Sequence, residues 1–219
     1  MTTVNNSRKA RSLDVKKMTV IGMLSAISII MANTQIGYIP INPFVNLTIM
    51  QVPVIIGAIM EGPLVGSFLG LIFGLTSMIR AFNAPTVTNF VFMNPIVSVL
   101  PRVLIGIVSY YTYIMIQNLI INITTKINGK NNNKKIKTIP AAITGVVGTL
   151  VNTGGVLGMI YILYAQRFAE AFISNNPNAS NLSPAHIIFG VVGANAISEA
   201  ILAAVIVGVV ITALKMVRK

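Results

Sequence analysis

The chain of 219 residues is 54% hydrophobic and 9% charged, with a mean hydropathy of +0.81. So few charges cannot keep the surface of a water-soluble domain wet, so lipid is the expected solvent. Without cysteine and with a single histidine, disulfides, thiolate nucleophiles and Cys- or His-cluster metal sites are excluded.

The net charge of +12 invites a nucleic-acid reading, but thirteen of the sixteen basic residues sit in three clusters. These are Arg8, Lys9, Arg11, Lys16 and Lys17, then Lys126, Lys130, Lys134, Lys135 and Lys137, then Lys215, Arg218 and Lys219. All three flank apolar runs, which is the pattern of cytoplasmic retention and attraction to anionic lipid. No nucleic-acid partner is expected.

Residues 1–16 read as a basic cytoplasmic tail, and 17–219 as one membrane domain of six hydrophobic helices with both ends cytoplasmic. The first span is expected over 17–33, retained rather than cleaved as a signal peptide because no small-x-small site follows it. Gly37, Pro40 and Pro43 mark a loop, followed by a short second span over 45–60, bent at Pro53. Glu61-Gly62-Pro63 predicts a tight turn into a third span that reaches Ile79. A polar loop follows over 80–92, then a fourth span over 94–119. The Lys- and Asn-rich stretch 122–138 reads as a mobile cytoplasmic linker. The fifth span is expected over 139–164, a polar loop over 166–183, and the sixth span over 184–216. The basic clusters and the 61–63 turn then share one side, leaving Arg80 and Arg167 as the basic residues of the opposite side.

Small residues recur at spacing four: Gly62, Gly66, Gly70 and Gly74 in the third span, and Ala196, Ala200, Ala204 and Gly208 in the sixth. Such lines let helix backbones approach closely. In the first span Gly22 and Ala26, with Met18 and Ile30, form a similar line; internal packing and docking of another membrane subunit both fit, and spacing does not choose.

Ionisable groups at membrane depth are costly and point to function. Two qualify, Arg102 and Glu199. Arg102 reads either as a structural or snorkelling cation or as the holder of an anionic substrate group. A direct Arg102–Glu199 pair would require stretched side chains or a tilted helix. Asn152 and Asn195 are further buried polar candidates, as helix glue or ligand contacts; Tyr161, Tyr164 and His186 fall near the outer surface. No G-x-x-x-x-G-K-[ST] loop, H-E-x-x-H or G-x-S-x-G occurs, and four acidic residues in all make a carboxylate-rich metal site implausible. The chain is therefore not expected to be an enzyme, nor to need a cofactor or metal.

Three stretches carry a resemblance: Ile41-Asn42-Pro43-Phe44-Val45 with Val52-Pro53-Val54-Ile55-Ile56-Gly57-Ala58; Glu61-Gly62-Pro63-Leu64-Val65-Gly66 continuing to Gly70 and Gly74; and Asn94-Pro95-Ile96-Val97-Ser98-Val99-Leu100-Pro101-Arg102. Together they resemble the substrate-binding S components of energy-coupling-factor vitamin transporters, nearest to the pantothenate-type members. The resemblance is clearest over 18–106.

It implies a multi-pass protein of the bacterial cytoplasmic membrane that captures a small water-soluble vitamin, pantothenate above all, from outside. Delivery would follow docking on a transmembrane coupling subunit energised by two cytoplasmic ATPases. The docking motif of that group, A-x-x-x-A, corresponds here to Gly22 and Ala26. Loop 34–44 with Phe44 would gate the pocket, and Arg102, Asn152, Asn195, Tyr161 and Tyr164 would hold the substrate. The alternatives are a self-sufficient secondary transporter of a small organic solute, or an S component for pyridoxine, riboflavin or cobalamin.

Overall fold

The computed structural model describes the backbone of residues 3–34, 37–42, 45–83, 89–128 and 138–217. Among these, six apolar helices form an α-helical bundle, to which a two-stranded hairpin is added. Helix α1 (Thr3–Asn33) is followed by strands β1 (Tyr38–Asn42) and β2 (Val45–Thr48), then α2 (Gln51–Glu61) and α3 (Pro63–Asn83). A 3-10 helix (Asn89–Met93) and one turn of helix, α4 (Pro95–Ser98), lead into α5 (Leu100–Asn128). The chain ends in α6 (Thr138–Asn175) and a last pass that starts as a π-helix (His186–Val192), passes through a 3-10 turn (Gly193–Asn195) and continues as α7 (Ala196–Val217).

Four of these helices are long and apolar enough to cross a bilayer: Pro63–Asn83, Pro95–Lys126, Thr138–Ser174 and His186–Leu214. Lys17–Asn33 and Gln51–Glu61 are shorter apolar helices. At ~1.5 Å per residue α2 rises about 16 Å, roughly half of a hydrocarbon core. Strand β2 precedes it at ~3.3 Å per residue and adds about 13 Å. Helix α2 touches α1, α3, α5, α6 and α7, and every residue from Gln51 to Ile59 is buried. A helix apolar all round belongs at the centre of a bundle.

Several boundaries differ from expectation. The first four residues of the second span are a strand: Val-Asn-Leu-Thr alternates apolar and polar with period two, and pairs antiparallel with β1 in register Tyr38↔Thr48 and Ile39↔Leu47. Pro53 stands in the first turn of α2, where a missing N–H leaves no helical bond unmade, so no bend is needed there. Helix α3 runs on to Asn83 and the 89–93 segment is a 3-10 helix, inside what was expected as loop. Helix α5 continues to Asn128, so the first part of the expected linker is helical; 129–137 lie outside the described residues. Helix α1 already begins at Thr3.

The expected loop 166–183 is helical to Asn175, because Phe168, Ala169 and Phe172 continue the buried face. Tyr164, the expected end of the fifth span, is instead a break inside α6, with φ −139° and ψ 19°.

The glycine line works as close packing over three of its four positions. A Cβ on Gly66 would lie 2.5 Å from Ala58 Cβ and 2.9 Å from Gly106 Cα, and one on Gly74 would lie 2.7 Å from Val99 Cα. One on Gly70 would run into the Arg102 carbonyl oxygen. Helices α3 and α5 thus meet backbone to backbone. Gly62 serves the chain direction instead: its φ of +105° turns α2 into α3, and Pro63 opens the next helix. In the last pass Gly145 of α6 packs on α7, where an added Cβ would stand 2.8 Å from the Ala203 carbonyl oxygen. Two apolar clusters result, one drawn from all of α1, α2, α3, α5, α6 and α7 around Val54, Ile55 and Leu69, the other around Val97, Ile160, Phe172 and Ile188.

Candidate functional site

The site starts from a proline. Pro101 has no N–H to offer the carbonyl of Val97 four residues back, and in a membrane that oxygen finds no water. Arg102 supplies the missing donor: its Nη1 donates to Val97 O at 2.7 Å. The guanidinium is buried and lies over two aromatic rings, Phe73 at 5.4 Å and Phe92 at 5.3 Å. Aromatic faces stabilise a cation that has left water. Phe73 comes from α3 and Phe92 from the 3-10 helix, so both walls of the arginine precede it in sequence. One turn earlier, Ser98 Oγ is buried and has no hydrogen-bond partner among the described residues.

A second polar cluster gathers on Glu199 of α7. Thr48 donates to Glu199 Oε1 from both its backbone N and its Oγ1, each at 2.8 Å. Thr153 Oγ1 of α6 donates to Oε2 at 3.1 Å. The Thr48 carbonyl accepts from Gln51 Nε2 at 3.1 Å, and the same amide lies 3.4 Å from Thr149 Oγ1. Gln51 is fully buried, and its Oε1 has no hydrogen-bond partner among the described residues. The partners of the Glu199 carboxyl are thus threonines of β2 and α6, and the Arg102–Glu199 pair considered from sequence is not among them.

Asn152 connects the two clusters along α6. It follows Thr149 by three residues and precedes Gly155, whose Cβ would stand 3.0 Å from the Pro101 ring, so it sits about one turn from the level of Arg102. Asn152 Oδ1 is buried with no hydrogen-bond partner among the described residues. Asn195, one turn before Glu199 on the last pass, likewise holds a buried Nδ2 without a partner among the described residues. Uncompensated buried amides cost free energy, about 1–3 kcal/mol each, and a polar ligand would supply what they lack.

The aromatic candidates divide. Tyr164 OH accepts from Asn94 Nδ2 at 3.0 Å, and its ring meets Phe90 edge-on at 5.8 Å. Asn94 Oδ1 also caps α4 by accepting from Ile96 N, so Tyr164 fixes the segment that carries Phe92. Arg167 lies 4.8 Å over Phe90. Tyr161 is exposed and packs on Phe189 at 5.5 Å, the setting of an interface anchor. His186 lies beside Gly190 at the start of the last pass. Phe44 lies outside the described residues.

Gly22 and Ala26 are exposed on α1, with Met18 and Ile30 beside them, and a Cβ on Gly22 would meet nothing within 4 Å. Ser25, Ser28 and Ala32 face inward from the same helix. A broad groove of about 700 Å³ lies elsewhere, between α1, α2 and α7, lined by residues such as Leu24, Ile27, Ile56 and Val210 with Glu61 as its one charged wall residue. Its lining offers little to a polar solute.

Sequence reasoning missed Thr48, Gln51, Thr149 and Thr153. The signal was present for α6, where Thr149, Asn152 and Thr153 recur at helical spacing in an otherwise apolar run. Among the described residues no group of three or more His, Cys, Asp or Glu side chains could hold a metal.

Two curated relatives align over most of the chain. One, "Pantothenic acid transporter PanT" of Lactococcus lactis subsp. cremoris (strain MG1363), is 25% identical over 222 residues, covering 94% of this chain and 96% of that protein. Another, "Pantothenate transporter PanT" of Leuconostoc mesenteroides subsp. mesenteroides, is 27% identical over 179 residues, covering 80% and 79% of the two chains. With its apolar helices, the chain is a multi-pass protein of the bacterial cell membrane. The family description "ECF transporter, substrate-specific component" matches residues 16–211, and the chain belongs to that family.

Proposed function

We propose that the chain captures pantothenate from outside the cell, with Arg102 as the anchor for its carboxylate, and delivers it as the binding subunit of an ATP-driven importer. The observation that carries this is a buried guanidinium lying over the rings of Phe73 and Phe92, in a chain similar over most of its length to two pantothenate transporters. A guanidinium fork matches a carboxylate in shape and charge. The unpartnered amides of Asn152 and Asn195 suit the hydroxyl and amide groups along the rest of the molecule. Both ends of the chain lie on the cytoplasmic side, where basic clusters are retained. Gly22 and Ala26 form the face that docks on a transmembrane coupling subunit, and two cytoplasmic ATPase subunits hydrolyse the nucleotide.

Calorimetric titration of purified protein with pantothenate, in the absence of nucleotide, tests the reading. One molecule binds per chain, and Arg102→Ala weakens binding by about 3 kcal/mol, roughly 150-fold, as for loss of a buried charge partner. The alcohol analogue, with a hydroxymethyl group in place of the carboxylate, binds wild type weakly and is little affected by Arg102→Ala. Equal loss of affinity for acid and alcohol removes Arg102 from carboxylate recognition, and absence of pantothenate binding to wild type refutes the vitamin assignment.

A further inference from the structure

The hairpin stands on two feet. At the first, Gly37 packs so closely on the end of α1 that an added Cβ would strike the Met31 carbonyl, and its own carbonyl accepts from Ile49 N at 3.3 Å. At the second, Thr48 ends β2, and every polar atom of Thr48 is engaged: its N and Oγ1 by Glu199, its carbonyl by Gln51. Glu199 reaches Thr153 of α6 with its other oxygen. One carboxyl group therefore joins three separate segments at the point where the hairpin leaves the bundle. Strand β2 also rests on the 3-10 turn that carries Asn195 and on the start of α7.

A carboxyl group at this depth is expensive to retain for packing alone, since an apolar residue of similar volume would fill the space without desolvation cost. Its three donors come from segments that diverge from that point, which makes it a fastening between the hairpin and the two helices holding Asn152 and Asn195. We infer that Glu199 is a positioning residue that latches the base of the β1–β2 hairpin onto the α6–α7 wall, so that departure of bound substrate past the hairpin requires this contact to open. The inference rests on the reading of the chain as a pantothenate-capturing subunit, but the latch itself is a property of the protein without substrate. Glu199 is not asked to touch the vitamin; it acts through Thr48.

Purified wild type, Glu199→Ala, Glu199→Gln and Thr48→Val in lipid nanodiscs decide the matter through two readouts. Amide hydrogen exchange without ligand reports the latch. In Glu199→Ala exchange across 38–48 rises tenfold or more while α2 and α3 keep wild-type rates, and in Thr48→Val, which removes one of the three donors, it rises less. Glu199→Gln restores wild-type exchange, because its amide oxygen accepts from Thr48 and its amide nitrogen donates to the Thr153 hydroxyl. Radiolabelled pantothenate reports the consequence: dissociation from Glu199→Ala is at least tenfold faster with association changed less than threefold, and Glu199→Gln releases at the wild-type rate.

Unchanged hairpin exchange in Glu199→Ala overturns the latch, and faster exchange with unaltered dissociation overturns its role in retention. If Glu199→Ala does not fold, Thr48→Val decides by the same two readouts. If wild type binds no pantothenate, the vitamin reading falls while the exchange measurement still accepts or rejects the latch.

Discussion

Pro101 withdraws a donor from the backbone ladder and Arg102 returns one through its side chain. Two properties of Arg102, capping Val97 and offering a cation, can therefore be separated. Arg102→Ala leaves the Val97 oxygen without a partner in a dry site and is expected to cost about 1–3 kcal/mol of stability. Pro101→Ala in the same chain puts an amide N–H back within reach of that oxygen. The double variant is accordingly expected to recover most of the lost thermal stability in detergent, without regaining affinity for pantothenate. Equal melting temperatures for Arg102→Ala and the double variant would show that the proline gap is not what Arg102 fills. Arg102 was legible in the sequence because a cation in an apolar run is conspicuous. Gln51 and Thr48 were not, because uncharged polar residues at the edge of a span look like ordinary helix ends. What gives them meaning is Glu199, about 150 residues away in sequence and 2.8 Å from Thr48 in space.

Among the helices, α1 presents one face inward through Ser25, Ser28 and Ala32, and keeps Gly22 and Ala26 outward. Spacing alone had left this line open between packing and docking. Gly22 is exposed, and among the described residues no atom lies within 4 Å of an added Cβ, which favours the docking reading. Gly22→Leu with Ala26→Leu is therefore expected to leave folding and pantothenate affinity within about threefold of wild type, since both positions are exposed on α1. Uptake by cells that also make the energising subunits is expected to be lost, because bulky side chains keep two helix backbones apart. Lost affinity, or normal uptake, would refute the docking face. The hairpin, by contrast, was hidden at this scale. Period-two alternation over Val45–Thr48 lasts only four residues and runs straight into the apolar helix Gln51–Glu61, so the two merged into one expected span. The same limit applies to α6, where a polar composition over 166–175 masked the buried stripe of Phe168, Ala169 and Phe172.

At the scale of the whole molecule, the bundle has the parts of a container rather than of a motor. Its polar groups converge on Arg102, Asn152, Asn195 and Glu199 from α5, α6 and the last pass, while its outer surfaces carry apolar side chains such as Leu64, Ile162 and Ile197. The sequence contains no G-x-x-x-x-G-K-[ST] loop, and the proposed function assigns ATP hydrolysis to partner subunits. A binding protein that closes over its ligand without an energy source equilibrates and stops. Expressed alone in cells lacking other pantothenate uptake, the chain is expected to bind pantothenate stoichiometrically without accumulating it. Co-expression of the coupling and ATPase subunits is expected to give concentrative uptake that stops when ATP is depleted. Accumulation by the chain alone, driven by a proton or sodium gradient and collapsing with an ionophore, would move it to the class of self-sufficient secondary transporters and leave the exposed face of α1 without its proposed partner.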